Sequence, residues 1–274
     1  MRKLTFFFLL LFFSGLARSQ NVYSALQLNA EREYKTKRPK KIIETNTFFN
    51  KSGKQVDRNI KIFDNAGMLL TEERYDEKGM ISARLTYTND TVHRVTLSRT
   101  IERWTAFGYT KETAFYTYDT RVFLVAITEK DANGNIIRQT DIVCNDKGHP
   151  VELSLFDGNG YSFGKETASY FYDKNRVATA VLSTSRKVLS SDTIKISFTY
   201  ASKFPGPNEV YNIQGDLTNW NSKNYNGSET IYEEEYTYDS FGNCTESRIY
   251  RISIKGNGKR KRENDRIFRK EYFY

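Results

Sequence analysis

A short turn motif recurs along this chain and constrains its fold more than any other feature. The motif is Asp or Asn, two further residues, then Gly, and it is found at Asn50–Gly53, Asp64–Gly67, Asp76–Gly79, Asp131–Gly134, Asn145–Gly148, Asp157–Gly160 and Asp239–Gly242. In a type I turn the first side chain accepts hydrogen bonds from backbone N–H groups nearby, and the closing Gly tolerates positive φ. Each motif therefore predicts the tip of a β-hairpin.

The spacing of these turns indicates an internal duplication. The motifs that start at residues 50, 64 and 76 are 14 and 12 residues apart, and those that start at 131, 145 and 157 repeat this spacing, which gives a unit of about 81 residues. A second pair of segments, Lys111–Asp119 and Lys165–Asp173, begins with Lys-Glu-Thr-Ala and ends with Tyr-x-Tyr-Asp. Asp119 and Asp173 depart from the turn motif because no Gly follows them at the usual position.

Polar and apolar residues alternate between the turns, as in Ile194–Tyr200 and Tyr250–Ile254. A period of two is typical of strands with one buried face. A helical pattern is found only at Val22–Arg32. We therefore predict an all-β fold, an elongated and curved antiparallel meander of repeated β-hairpins.

The amino terminus has the composition of a signal peptide. Arg2 and Lys3 precede an apolar run, and Ala17 and Ser19 stand at the spacing that a signal peptidase recognises, so we expect cleavage after Ser19. The apolar run is shorter than the roughly 20 residues that span a bilayer, and no transmembrane segment is predicted. The expected organisation is a signal peptide at 1–19, an N-terminal segment at 20–44 and a single repeat domain at 45–274. We expect the protein to be periplasmic, at the cell surface or secreted.

Two turn segments, Tyr236–Asn243 and Glu129–Asn135, resemble the YD-repeat family, also called Rhs repeats. The ending at Arg269–Tyr274 is similar to that of exported members. The resemblance implies successive hairpins that wind into a curved sheet or shell, which in larger members encloses a toxin or serves as an extracellular adhesion scaffold. This chain is too short for a cargo shell, so the resemblance implies a scaffold or binding role. A weaker resemblance, at Gly67–Gly79, is to MORN-like repeat proteins.

No motif of a known catalytic or metal site is found, and no cofactor or metal is predicted. HExxH, P-loop, GxSxG and CxxC patterns are absent from the sequence. His149 follows a turn glycine and His93 lies in a strand-like segment, so we expect both to be structural. Paired carboxylates for glycoside hydrolysis are an alternative, because they need only two acids roughly 5 to 10 Å apart. The acidic run Glu233–Glu235 is more simply interpreted as a charged strand edge.

Two predicted loops interrupt the hairpins and carry aromatic side chains. Trp104 and Tyr109 lie in Glu102–Tyr109, and Trp220 and Tyr225 lie in a segment rich in Asn, Ser and Gly, residues 212–229. Aromatic rings flanked by polar groups stack on sugar rings and bond their hydroxyls, so these four residues are candidate ligand-binding residues. The competing interpretation is that both tryptophans seal the ends of the β core.

The net charge and the basic clusters narrow the choice of binding partners. Loss of the leader removes three basic residues and lowers the formal charge from +9 to +6. The basic clusters at Lys35–Lys41 and Lys259–Arg262 suit an anionic envelope polymer, although a solvated hairpin tip is the simpler interpretation of the second. Export argues against nucleic acid as a partner.

Cys144 and Cys244 either form a disulfide or remain two separate buried thiols.

These observations predict an exported, non-enzymatic binding or scaffold protein whose ligand is a carbohydrate or a cell-envelope polymer. One alternative is a glycan-active hydrolase, which paired acids beside a tryptophan would favour. The other is a protein-partner module that pairs through a free sheet edge.

Overall fold

A computed structural model of the chain describes residues 37–51, 53–174, 176–195, 210–213, 216–223, 229–254 and 259–274, together with Val22 and Ala25. The predicted signal peptide and Tyr225 lie outside these residues. Seventeen strands and one 3-10 turn, Tyr172–Lys174, are formed within them. The strands are β1 Lys41–Asn50, β2 Gly53–Phe63, β3 Leu69–Tyr75, β4 Ile81–Asp90, β5 Val95–Thr105, β6 Gly108–Tyr118, β7 Leu124–Asp131, β8 Ile136–Cys144, β9 Pro150–Asp157, β10 Ser162–Phe171, β11 Arg176–Leu182, β12 Val188–Lys195, β13 Val210–Tyr211, β14 Leu217–Lys223, β15 Glu229–Tyr238, β16 Cys244–Ile254 and β17 Arg260–Phe273.

The strands form one antiparallel sheet in which neighbours in sequence are neighbours in space. Consecutive strands pair from β1 to β12 and from β13 to β17. The last strand, β17, also pairs with β1, from Lys41 opposite Phe273 to Phe48 opposite Arg266. None of the described pairings joins β12 to β13, and the sheet is not closed there. The predicted all-β curved meander is confirmed.

One face of the sheet carries the hydrophobic core. Cross-strand partners share a face because side chains alternate along each strand, and the registers place on one face Ile101, Tyr116, Ile127, Leu153 and Val177. We call this the inner face and the other the outer face. Val22 and Ala25, which are helical, pack into the same cluster. The predicted N-terminal helix is described at these two residues only.

Six of the seven predicted turns share one set of hydrogen bonds; in the seventh, Asn50 and Gly53 are cross-strand partners on either side of the tip. In the turn that begins at Asp64, the Gly67 N–H donates to the Asp64 carbonyl oxygen (2.9 Å), and the Met68 N–H donates to Asp64 Oδ1 (2.8 Å). Both bonds recur in the turns that begin at Asp76, Asp131, Asn145, Asp157 and Asp239. The closing glycines of these six turns have φ between 75° and 85°, a conformation that glycine adopts without steric cost.

The turn at Asp119 forms without a glycine. The Phe123 N–H donates to Asp119 Oδ1 (2.9 Å), and Val122 takes the glycine position with φ of 65°. This conformation is strained for a β-branched residue, so the hydrogen bonds to the aspartate hold a turn that the backbone alone disfavours. The turn from Ser183 to Lys187 closes in the same way, with Arg186 at φ of 62°.

Alternate turns lie at opposite rims of the sheet because the strands are antiparallel. The turns that follow β2, β4, β6, β8, β10, β13 and β15 lie at one rim, where β17 also ends. We call it the tyrosine rim. The turns that follow β1, β3, β5, β7, β9 and β11 lie at the opposite rim. A shift of about 81 residues corresponds to six strands, an even number, so equivalent turns of the predicted duplicated units lie at the same rim.

Tyrosine pairs connect neighbouring hairpins along the tyrosine rim. Tyr170 Oη donates to the carbonyl oxygen of Pro150 (2.6 Å), and Tyr172 Oη lies 2.9 Å from His149 Nδ1 and accepts a bond from Asn145 Nδ2 (2.8 Å). In this pair the first tyrosine therefore bonds a backbone carbonyl, and the second bonds the turn of the preceding hairpin.

The same arrangement recurs twice near the carboxyl end. Tyr236 Oη donates to the Leu217 carbonyl oxygen (2.8 Å), and Tyr238 Oη donates to Asp216 Oδ2 (2.6 Å). In the last pair, the Tyr272 hydroxyl donates to the Cys244 carbonyl oxygen (3.0 Å), and the Tyr274 hydroxyl donates to the Asp239 carboxylate in the preceding turn. The Tyr-x-Tyr motif thus supplies side-chain bonds between hairpins in addition to the backbone ladder.

We expect Tyr170→Phe to lower the free energy of unfolding by about 1 kcal/mol, because it removes the hydroxyl that bonds the Pro150 carbonyl. Urea denaturation followed by circular dichroism measures the change. The matched control is Tyr161→Phe, at an exposed position of the opposite rim, which should stay within about 0.5 kcal/mol of wild type. Equal losses in the two variants would contradict a stabilising role for the tyrosine pairs.

Candidate functional site

The hairpin of β5 and β6 carries an aromatic pair on the outer face. Trp104 and Tyr109 are cross-strand partners whose ring centroids lie 5.5 Å apart, with ring planes at 51°. Thr105 pairs with Gly108, so the segment predicted as a loop is strand on both sides of a two-residue tip. That prediction was wrong because the alternating pattern of β5 continues through Trp104, and aromatic residues favour strands.

Charged side chains border this pair. Tyr109 Oη donates to Glu102 Oε1 (2.6 Å), and the Arg84 guanidinium lies 5.9 Å from the centre of the Trp104 ring. Arg84 Nε also donates to Glu73 Oε1 (3.0 Å). We call these five residues, which lie on the outer face of β3 to β6, the outer patch.

Hydrogen bonds set the protonation states in the outer patch. The bond to Glu102 raises the pKa of Tyr109. A bond from the hydroxyl of Tyr75 to Glu73 lowers the pKa of the Glu73 carboxyl. At neutral pH the phenol keeps its proton and the carboxylate its charge. The patch thus presents flat rings beside fixed donors and acceptors, an arrangement suited to stacking on a sugar ring and bonding its hydroxyls.

Trp220 lies on the inner face. Its ring, in β14, stacks on Tyr232 of β15, with centroids 5.2 Å apart and planes at 15°. The registers put these two rings on the face of Tyr236, opposite to the face of Trp104. The structure therefore does not bring the two tryptophans into one surface. The segment at 212–229, predicted as a loop, contains strand β14, so that prediction was wrong as well; its Tyr225 lies outside the described residues.

Two carboxyls on the inner face have raised pKa values because they are buried. Burial raises the pKa of Glu129 in β7, and the negative charge of Glu112 raises it further. The positive charge of Arg138, whose Nε lies 3.3 Å from the Glu129 carboxylate, opposes this rise. Glu166 in β10 accepts a hydrogen bond from the Val22 N–H (2.9 Å), which ties the N-terminal segment to the inner face. Neither carboxyl lies on the outer face with Trp104. Neither lies on a strand next to β14, which carries Trp220.

The acidic run in β15 and the basic run in β17 contact each other on the outer face. Glu233 contacts Arg260 (2.6 Å), and Glu235 contacts Arg262 (2.7 Å). Because β15 pairs with β14 and with β16, the prediction that Glu233–Glu235 forms a strand edge was wrong. The prediction of a solvated tip was also wrong for the two arginines, which lie in a strand where opposite charges pair across the sheet.

The histidines and cysteines have structural contacts. His149 lies at the Asn145 turn, as predicted, and its ring contacts the rings of Tyr170 and Tyr172. His93 lies in a turn and not in a strand, with Nδ1 2.7 Å from Asp90 Oδ2. The bonds from the turn to Asp90 end β4 before His93 is reached. Cys144 and Cys244 are free thiols on the distant strands β8 and β16, and burial raises the pKa of both. The two separate thiols are therefore the correct alternative.

The described part of the chain holds no group of three or more His, Cys, Asp or Glu side chains placed to bind a metal ion. No helix within it is both long enough and apolar enough to cross a bilayer.

Comparisons with known proteins find structural neighbours. No family model and no curated protein matches the chain. A porin-like protein from Bacteroides uniformis is 15% identical, with a TM-score of 0.46, over 88% of this chain and 99% of that one. TcdB2-TccC3 without its hypervariable C-terminal region is 13% identical, with a TM-score of 0.22, over 79% of this chain and 16% of that one. The assignment as an all-β repeat protein rests on the strands and turns described above.

Glu166→Gln should stabilise the protein more at about pH 8 than at about pH 4. Burial raises the pKa of Glu166 in the folded state above its value near 4.5 in the unfolded chain. The stability that the protonated form contributes is complete below the unfolded value and is lost as pH rises through the folded value. Glutamine keeps an oxygen for the Val22 N–H without carrying a charge.

Thermal unfolding at both pH values measures the difference. The control is Glu77→Gln, at an exposed turn position. It should change the melting temperature only slightly, and by the same amount at both pH values. A gain from Glu166→Gln that is the same at both pH values would show that Glu166 carries no buried charge.

Proposed function

We propose that this chain is an exported, non-enzymatic binding protein with a YD-like repeat scaffold, and that it binds an envelope carbohydrate polymer at the outer patch. The leader-like sequence at 1–19 supports export, and the hairpin repeats with Tyr-x-Tyr-Asp ends support the YD-like scaffold. The observation that carries the proposed activity is the pairing of Trp104 with Tyr109 on an accessible face, beside fixed polar groups.

Access favours the outer patch over the second tryptophan. Tyr109 is exposed and lies next to a hairpin tip, so a long polymer reaches it from solvent without entering the sheet. Trp220 stacks on Tyr232 with nearly parallel planes, so that one face of its ring is already occupied.

The polar groups of the outer patch favour a hydroxyl-rich ligand. Glu102 and Arg84 lie in cross-strand register on β5 and β4, and they border the rings. An apolar partner would cover these charges without bonding them, which is costly, whereas sugar hydroxyls both donate and accept. Because strands hold the site, little conformational entropy is lost on binding.

Binding without cleavage is the form of the proposal that the geometry supports best. Glycoside hydrolysis uses one carboxyl with a raised pKa beside the sugar. The carboxyls with raised pKa, Glu129 and Glu166, lie on the inner face, whereas the pKa of Glu73 in the outer patch is lowered.

The test uses the two tryptophans of the chain. Trp220→Phe leaves Trp104 as the sole tryptophan. With excitation that is selective for tryptophan, titration with soluble peptidoglycan fragments should quench its emission saturably. Trp104→Ala and Tyr109→Ala should each weaken retention on insoluble peptidoglycan by about tenfold, the loss of roughly 1.4 kcal/mol of stacking.

Trp220→Phe serves as the matched control and should bind as wild type does. Circular dichroism confirms that each variant is folded. Absence of retention on peptidoglycan and on purified lipopolysaccharide would contradict the proposal, as would an equal loss in Trp220→Phe.

A further inference from the structure

The opposite rim exposes a row of apolar side chains. From the turn after β3 to the turn after β11, five successive tips carry one such residue at the tip or directly after it. Their exposed fractions are 66% for Met80, 102% for Phe107, 43% for Ile136, 72% for Tyr161 and 56% for Val188. We call these five residues the rim row. A single exposed apolar residue needs no explanation, but a row of consecutive tips does.

Turn chemistry does not require this exposure. Met68 and Met80 both follow the closing glycine of an Asp-x-x-Gly turn and make the same backbone bond to the turn aspartate. Met68, at the tyrosine rim, is only 6% exposed, whereas Met80, at the opposite rim, is 66% exposed. The exposure of Met80 therefore does not follow from the local sequence motif, which is the same in both turns.

The spacing of the rim row favours a deformable surface over a protein partner. Neighbouring hairpins are two strand widths apart, about 10 Å, so polar turn residues separate the apolar side chains of one tip from those of the next. A protein interface needs a contiguous, closely packed apolar centre. A lipid layer instead accepts isolated aromatic and aliphatic side chains at the boundary between headgroups and acyl chains.

Charge at the same rim favours an anionic layer. Exposed basic side chains accompany the rim row, namely Lys51, Lys54, Lys78, Arg186 and Lys187. The same turns carry one exposed acid, Glu77, whereas the half-buried turn aspartates Asp76, Asp131 and Asp157 accept backbone N–H bonds within their own turns. The exposed basic side chains of these turns therefore outnumber the exposed acid. Long basic side chains beside apolar ones place their charge at the headgroup level.

We propose that the opposite rim docks this protein on an anionic lipid surface, with the rim row entering the layer and the basic side chains contacting headgroup phosphates. The site is separate from the outer patch, so either proposal can fail alone. It accounts for the exposure of five successive tips and for the accompanying lysines and arginines.

Vesicle co-sedimentation tests the proposal. The chain is used from Gln20, because the apolar leader would itself bind lipid, and it retains every described residue. It should sediment with vesicles of phosphatidylcholine and phosphatidylglycerol, and at least tenfold more weakly with phosphatidylcholine alone. The combined variant Met80→Ser, Phe107→Ser and Tyr161→Ser should lose at least tenfold in partition to the mixed vesicles.

The tyrosine rim supplies a matched control. Val92 and Ile213 are exposed apolar residues in its turns, at 84% and 97%, and Val92→Ser with Ile213→Ser should leave vesicle binding unchanged. Trp104→Ala should also leave it unchanged, which separates this site from the outer patch. Three results would overturn the proposal: no binding to the mixed vesicles, an equal loss in the control variant, or lipid-free self-association that the triple variant abolishes.

Discussion

Pairing between the last strand and the first joins the two halves of this repeat sheet, β1 to β12 and β13 to β17. Eight residue pairs join β17 to β1, and on the inner face Glu44 lies 3.3 Å from Lys61 of β2 and 3.7 Å from Lys270 of β17. One buried carboxylate thus contacts both neighbouring strands. Without this junction β1 and β17 would each present a free edge, and free edges invite pairing with other chains. Val22 and Ala25 pack on the same inner face further along the sheet, against residues of β6 to β11.

The turns could be predicted from the sequence because their chemistry is local. An Asp or Asn side chain bonds N–H groups within four residues, so the motif contains all that the turn needs. The motif does not identify turns in which another residue takes the glycine position, as Val122 and Arg186 do. Residues 212–215 also fit the motif and were not predicted as a turn; there the Asp216 N–H donates to Asn212 Oδ1 (2.8 Å). The repeat spacing followed from the same local signal.

The errors came from properties that depend on distant parts of the chain. Glu233–Glu235 looked like an edge because the sequence does not show that β15 has a strand on each side. The segment around Trp104 looked like a loop because its two-residue tip carries no motif. The faces of Trp104 and Trp220 follow from cross-strand registers, which no local pattern determines. Met68 and Met80 make the point most directly, since the same motif leads to burial in one case and exposure in the other.

The inner face is mostly occupied by its own side chains, which leaves the outer face and the rims available for binding. The outer patch and the rim row meet at one hairpin, since Trp104 stands three residues before Phe107. At about 3.4 Å per residue this places the aromatic pair within roughly 10 Å of the exposed tips. A protein docked by the opposite rim would therefore hold its outer patch close to the lipid surface. A carbohydrate that is itself attached to that layer would meet both surfaces at once, and the second contact would then benefit from a high effective concentration.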